Sequence, residues 1–131
     1  MSDPEARVLV VEDDPDIADY MASFLEDEGF LATSANRCST ALALMSEFRP
    51  DIVLIDALLP GKSGLDFLVT LRRDARWSAL PLVVVTGNDM LLEDDCQSYL
   101  GAHQGVRGPD GVLGKPVDRT SLVAVIRKLV G

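Results

Sequence analysis

Histidine is almost missing from this 131-residue chain, with His103 standing alone. Cysteine is nearly as scarce: Cys38 and Cys96 are isolated, with no C-x-x-C pattern and no second pair. That excludes a disulfide framework and a histidine–cysteine metal cluster. The two cysteines are expected to pack as small hydrophobes. His103 has no partner for metal or nucleophilic work and is expected at the surface. Trp77 is the one tryptophan, expected to pack as a lid ahead of Pro81. Apolar runs stay far short of a membrane span, and the polar, acidic N-terminus has no signal-peptide pattern. A cytoplasmic location with no membrane contact is therefore expected. Positive charge is also in deficit: 12 Lys and Arg face 21 Asp and Glu, a formal net charge of -9. Such a chain repels phosphate backbones, which disfavours direct nucleic-acid binding, and it would welcome a divalent cation. Part of the excess, Glu26-Asp27-Glu28 and Glu93-Asp94-Asp95, reads as solvated surface.

What is present is an ordinary globular composition, 47% hydrophobic and 25% charged, which argues against disorder. A chain of this length is expected to form a single domain over residues 1–131 and to bury roughly two-thirds of its unfolded surface. No internal repeat, linker or low-complexity tract interrupts it.

Short apolar runs alternate with helical periodicity. Strands are predicted near 7–11, 30–35, 51–56, 82–86 and 112–114. Ile52-Val53-Leu54-Ile55 and Leu82-Val83-Val84-Val85 carry no polar alternation, as expected of strands buried on both faces of a parallel sheet. Helices are predicted after Pro15, with Ile17, Met21, Phe24 and Leu25 on one face and Gly29 as a stop; over 40–48, with Ala41, Leu44, Met45 and Phe48; and from Ser63-Gly64, with Leu65, Leu68, Val69 and Leu71. A thinner apolar stripe allows another helix over 90–100. A glycine-rich loop follows over 101–111, and a closing helix over 120–130 is capped near Asp118. Strands alternating with helices give an α/β class: a doubly wound, five-stranded parallel sheet with flanking helices and right-handed crossovers.

In such a sheet the ligand crevice lies beyond the carboxyl ends of the strands. Glu12, Asp13 and Asp14 follow the first strand, Asp56 ends the third, Thr86 the fourth, and Lys115 follows the fifth. Asp56 taken alone, ahead of a Pro-Gly loop, reads equally well as the start of a turn; the other strand ends favour chemistry. One acid before a helix suffices for capping, and Asp14 fits that role; the cluster suits a cation, with Asp13 as a ligand. Together these groups supply what phosphoryl transfer to a carboxylate needs. The acids can hold Mg²⁺, Asp56 is a nucleophile already deprotonated at neutral pH, and Thr86 and Lys115 can contact phosphoryl oxygens.

In this order and spacing, Val10-Val11-Glu12-Asp13, Leu54-Ile55-Asp56 with Leu59-Pro60-Gly61 and Ser63-Gly64, Val85-Thr86-Gly87 and Lys115-Pro116 resemble the receiver domain of bacterial two-component response regulators over essentially the whole chain. The resemblance implies a (βα)5 flavodoxin-like fold. Asp56 would accept phosphoryl from a histidine kinase or phosphotransfer protein. Asp13, Asp56 and the backbone carbonyl of Leu58 would bind Mg²⁺ directly, with Glu12 acting mostly through water. Thr86 and Lys115 would contact the phosphoryl group, and the Lys115-Pro116 bond would be cis. Such a protein is not an enzyme in the usual sense, since it promotes only its own phosphorylation and dephosphorylation. An effector domain or effector protein and dimerisation would complete the picture.

Two departures stand out. Where the family usually has Tyr or Phe, three residues before the lysine, this chain has Val112, which cannot report by ring motion. The interval from Thr86 to Lys115 is also longer than usual, with the excess near 103–109, so an unusual output surface beside a normal phosphorylation site is expected. A degenerate receiver-like interaction module is the alternative that these departures raise. Other phosphate-handling readings fail. A P-loop would need glycine at Asp56, a dinucleotide-binding fingerprint would need glycines where Glu12 to Pro15 stand, and a dehalogenase-type phosphatase would show aspartate at Leu58.

Overall fold

The computed structural model describes residues 6–56, 58–59, 62–87 and 106–130. Five short apolar runs become strands: β1 (Arg7–Val11), β2 (Leu31–Ala35), β3 (Ile52–Asp56), β6 (Leu82–Thr86) and β7 (Gly111–Gly114). They form one parallel sheet in the order β2-β1-β3-β6-β7. Between them run α1 (Pro15–Asp27), α2 (Cys38–Phe48), α3 (Gly64–Arg72) and, last, α4 (Arg119–Val130). The loop expected after Asp56 contains a separate antiparallel pair, β4 (Leu58–Leu59) with β5 (Lys62–Ser63). The chain must reverse there to start α3, and the reversal brings two backbone segments side by side, where their amides can pair. The helix expected over 90–100, Glu93 to Asp95, Cys96, His103 and most of the glycine-rich loop lie outside the described residues.

Strands β1, β3 and β6 are buried on both faces, as their uninterrupted apolar runs require. One face packs Leu9, Val11, Val53, Ile55 and Val84 against α2 and α3, through Ala41, Met45, Phe67, Leu68 and Leu71. The other packs Val8, Val10, Leu54, Val83 and Val85 against α1 and α4, through Met21, Leu25, Leu122 and Ile126. Phe67, absent from the sequence-based stripe, is fully buried. It packs beside Leu68 and Leu71 in the first of these clusters. Trp77 lies partly buried against the first cluster, as a lid does, with the Arg76 guanidinium 4.1 Å from its ring centroid. Cys38 packs at the border of the same cluster.

Helix ends follow local chemistry. Asp14 accepts the amides of Asp16 (2.9 Å) and Ile17 (3.4 Å) at the start of α1, and Asp118 accepts that of Ser121 (2.9 Å) at the start of α4. Gly29 leaves α1 at φ +92, a conformation costly for any residue with a Cβ. Glu28, expected to be solvated, instead joins the two helices of one layer by ion pairs to Arg119 (2.8 Å) and Arg127 (3.2 Å). At the amino edge of the sheet Arg72 is buried. It donates to the carbonyls of Ser78, Leu80, Arg107 and Gly108 and to the Asp110 carboxylate (2.9 Å), which also accepts the Leu82 amide. Arg107 pairs with the same carboxylate. This cluster fixes the start of β7 beside β6, where the chain re-enters the sheet.

Candidate functional site

The strand order reverses direction between β1 and β3, and such a reversal leaves a crevice above the carboxyl ends of the two strands. Glu12, first residue past β1, is held there by its amide on the Ala35 carbonyl (2.9 Å) and is 3% exposed. Asp56, last residue of β3, is 5% exposed. Asp13 is exposed at the rim. One oxygen from each of these three carboxylates can be chosen so that all lie within 4.8 Å of one another. Asp14 is committed to the cap of α1, so the acid run divides as its positions suggested: two toward the crevice and one to the helix.

The fifth strand brings the cation. The Lys115 amide donates to the Thr86 carbonyl (2.8 Å), and its Nζ reaches Glu12 Oε1 at 2.8 Å and Asp56 Oδ2 at 3.3 Å. The Lys115-Pro116 bond is cis. Thr86 is 2% exposed at the end of β6, one residue beyond Val85, the register partner of Asp56. Leu58 stands in β4, two residues past Asp56. Residues distant in sequence, Glu12, Asp13, Asp56 and Lys115, therefore converge in one pocket, with Thr86 at the neighbouring strand end.

Three carboxylates against one ammonium leave the pocket short of positive charge. Burial, and then the hydrogen bond with Asp56, push Glu12 above its usual carboxyl range, against the opposing pull of Lys115. Burial works against the charge on Lys115, but the hydrogen bond it donates to Glu12 and the charge of Asp56 outweigh it, and the amine is held above its ordinary value. Both shifts describe a negative, partly desolvated site.

One positioning role escaped the sequence reading, which took Gly64 as the start of a helix and as part of a family motif but gave it no part in placing Asp56. A Cβ on Gly64 would sit 1.9 Å from the Asp56 carbonyl oxygen and 2.9 Å from Ile55 Cγ2. Helix α3 begins directly against the strand that presents Asp56. A glycine at the joint between a buried strand and a helix was the available signal.

A doubly wound sheet with an acidic crevice, a buried aspartate at its centre and a lysine bridging it to Glu12 is the architecture of a receiver domain. The response regulator receiver domain model matches residues 8–127, and the chain belongs to that family. It is 37% identical over 121 residues to the DNA-binding response regulator MtrA of Mycolicibacterium smegmatis, covering 92% of this chain and 49% of that protein. It is 32% identical over 125 residues to protein PilH of Pseudomonas aeruginosa, covering 95% and 98%. The chain thus spans about half the length of the first relative and nearly all of the second. Among solved structures, a CheY-like response regulator receiver domain from Methylobacillus flagellatus superposes with a TM-score of 0.81 at 28% identity, over 96% of this chain and 99% of that one. The departure at Val112 is visible: it lies half-buried in β7 opposite Val84, without the aromatic ring usual in the family. Among the described residues no helix is long and apolar enough to cross a membrane.

Proposed function

We propose that this protein is a phosphorylation-dependent signalling switch in which Asp56 takes a phosphoryl group from a histidine kinase or histidine phosphotransfer protein. The observation that carries this reading is the buried Asp56 carboxylate, bridged to Glu12 by Lys115 Nζ at 3.3 and 2.8 Å, with Asp13 within reach. An Asp56 oxygen attacks phosphorus, the new P–O bond forms, and the P–N bond of the donor phosphohistidine breaks with its electron pair returning to the imidazole. Lys115, already beside the nucleophile, pairs with a phosphoryl oxygen, and the Thr86 hydroxyl donates to another. Return to the resting state is hydrolysis of the aspartyl phosphate at the same centre. No separate substrate is turned over, so the chemistry is confined to the protein's own carboxylate.

The donor set fits Mg²⁺: hard carboxylate oxygens close together, with an uncompensated negative charge. Asp13, Asp56 and the Leu58 backbone carbonyl would hold the ion directly, and Glu12 mostly through water. When bound, the ion neutralises charge that builds up as the phosphoryl group moves. A cytoplasmic location, an effector domain or effector protein as the output, and dimerisation go with this reading. The formal charge of -9 speaks against nucleic-acid contact by this segment itself.

A receiver-like interaction module with an eroded switch is the second reading, raised by Val112. Glu12, Asp13, Asp56, Thr86 and Lys115 are all present at the expected strand ends, which leaves erosion without support at the acceptor centre. Intact-mass measurement after incubation with Mg²⁺ and acetyl phosphate or phosphoramidate decides between them. A phosphoryl adduct lost in Asp56→Ala is expected, and no adduct under any condition would favour the module.

A further inference from the structure

The first edge of the sheet is open. The Leu31 amide donates to Ala6 and the Ala35 carbonyl accepts from Glu12, both at 2.9 Å. Residues 31, 33 and 35 therefore turn their peptide groups toward β1. The direction alternates along a strand, so Ala32 and Ser34 turn their N–H and C=O groups outward. Among the described residues nothing hydrogen-bonds those outward groups. Exposed edges are ordinarily blunted by charge, proline or a bulge. Leu31-Ala32-Thr33-Ser34-Ala35 has no charged side chain and no proline, and pairs with β1 residue for residue.

We infer that β2 is a self-association edge, on which β2 of a second copy of this chain pairs antiparallel about a two-fold axis at Thr33. Three observations favour a second copy over an unrelated strand. First, the register centred on Thr33 sets Ala32 of one copy against Ser34 of the other, so both outward-facing residues of each copy are satisfied at once. Second, it places Leu31, 40% exposed and one of two large exposed hydrophobics among the described residues, on the same sheet face as the small Ala35 of the second copy. Third, Arg37 is exposed and makes no ion pair among the described residues. The register brings it opposite Gly29 of the second copy, next to the acidic end of α1 at Glu26, Asp27 and Glu28. The -9 charge on each copy opposes approach, and salt screens that repulsion, so the pairing strengthens as ionic strength rises. The pairing groups of Ala32 and Ser34 face away from β1, on the opposite side of β2 from the Ala35 carbonyl that holds Glu12, and the inference stands whether or not Asp56 is phosphorylated.

Sedimentation velocity over a concentration series, at low and high salt, reads the association. Amide hydrogen exchange by NMR reads its place. Wild-type protein is expected to dimerise with concentration, more strongly at high salt, and dimerisation is expected to slow exchange at Ala32 and Ser34 selectively. Ser34→Pro removes an outward N–H that β1 does not use, and Leu31→Lys puts a charge on the edge. Both variants should stay monomeric while keeping the wild-type circular dichroism and adduct formation at Asp56. Wild-type protein that stays monomeric at every concentration and salt level, or a dimer that leaves Ala32 and Ser34 exchange unchanged, would overturn the inference. So would a Leu31→Lys variant that dimerises like wild type.

Discussion

Replacing Gly64 with alanine tests how the acceptor is positioned. The added Cβ would lie 1.9 Å from the Asp56 carbonyl oxygen and 2.8 Å from its carbonyl carbon. Carbon–oxygen contacts settle near about 3.3 Å, so strand end and helix start must separate by roughly 1.4 Å. Both partners are backbone, one in a fully buried strand and one at the first turn of α3, so neither swings aside as a flexible side chain would. Overpacking of this kind costs about 1–3 kcal/mol of stability. The displacement acts on the residue that carries the nucleophile, and a misplacement of about 1 Å lowers a positioned reaction by roughly 10²-fold. The assay is the time course of adduct formation with acetyl phosphate, read by intact mass, beside thermal unfolding. Slow phosphorylation is expected in a variant that is still folded at the assay temperature. Adduct formation at the wild-type rate with unchanged stability would show that the Asp56 carbonyl does not meet α3 as described, and the positioning argument would fail.

Other substitutions separate the roles of neighbouring groups. Asp13→Asn should weaken Mg²⁺ binding in calorimetric titration, since the ion loses one charged ligand; unchanged affinity would remove Asp13 from the ligand set. Asp14→Ala should cost about 1 kcal/mol in denaturant unfolding, as a lost N-cap does, while phosphorylation by acetyl phosphate persists. Arg72→Met should be the most destabilising of these, at about 3–5 kcal/mol, because it takes one of two arginines from a partly buried Asp110 and leaves four carbonyls without the donor they share. Two of the perturbed carboxyls, Asp110 and Glu12, act in opposite directions with pH. Asp110 is opposed by burial but held below its ordinary 3.8 by the Leu82 amide and Arg72, so its stabilisation is present above 3.8 and lost as pH falls through its lower folded value. Glu12 is held above 4.5, so the metal-free protein loses stability as pH rises from 4.5 through the folded value. Glu12→Gln should flatten that limb of the stability profile in EDTA.

The two kinds of carboxylate in Glu12-Asp13-Asp14 show how far one-dimensional reading reaches. The capping role of Asp14 depends on amides two and three residues away, so it is visible in the local sequence. The same locality made α1 and α4 legible from their caps, and Gly29 as the stop of α1. Strands β3 and β6 were legible because burial on both faces leaves an unbroken apolar run. The family motifs then fixed which strand ends belong together. Other features had no local signature. The buried role of Arg72 depends on the Arg107 and Gly108 carbonyls and the Asp110 carboxylate, which only the re-entry of the chain at β7 brings to it. Glu28 became an ion-pair bridge because α4 packs beside α1. The need for glycine at 64 exists only because α3 starts in contact with the strand end carrying Asp56. Hydrogen-bond alternation, capping and periodicity act over a few residues and are written in the chain itself. Desolvation, charge crowding and close approach depend on what lies across a gap in space, and the parallel sheet alone determines which groups those are.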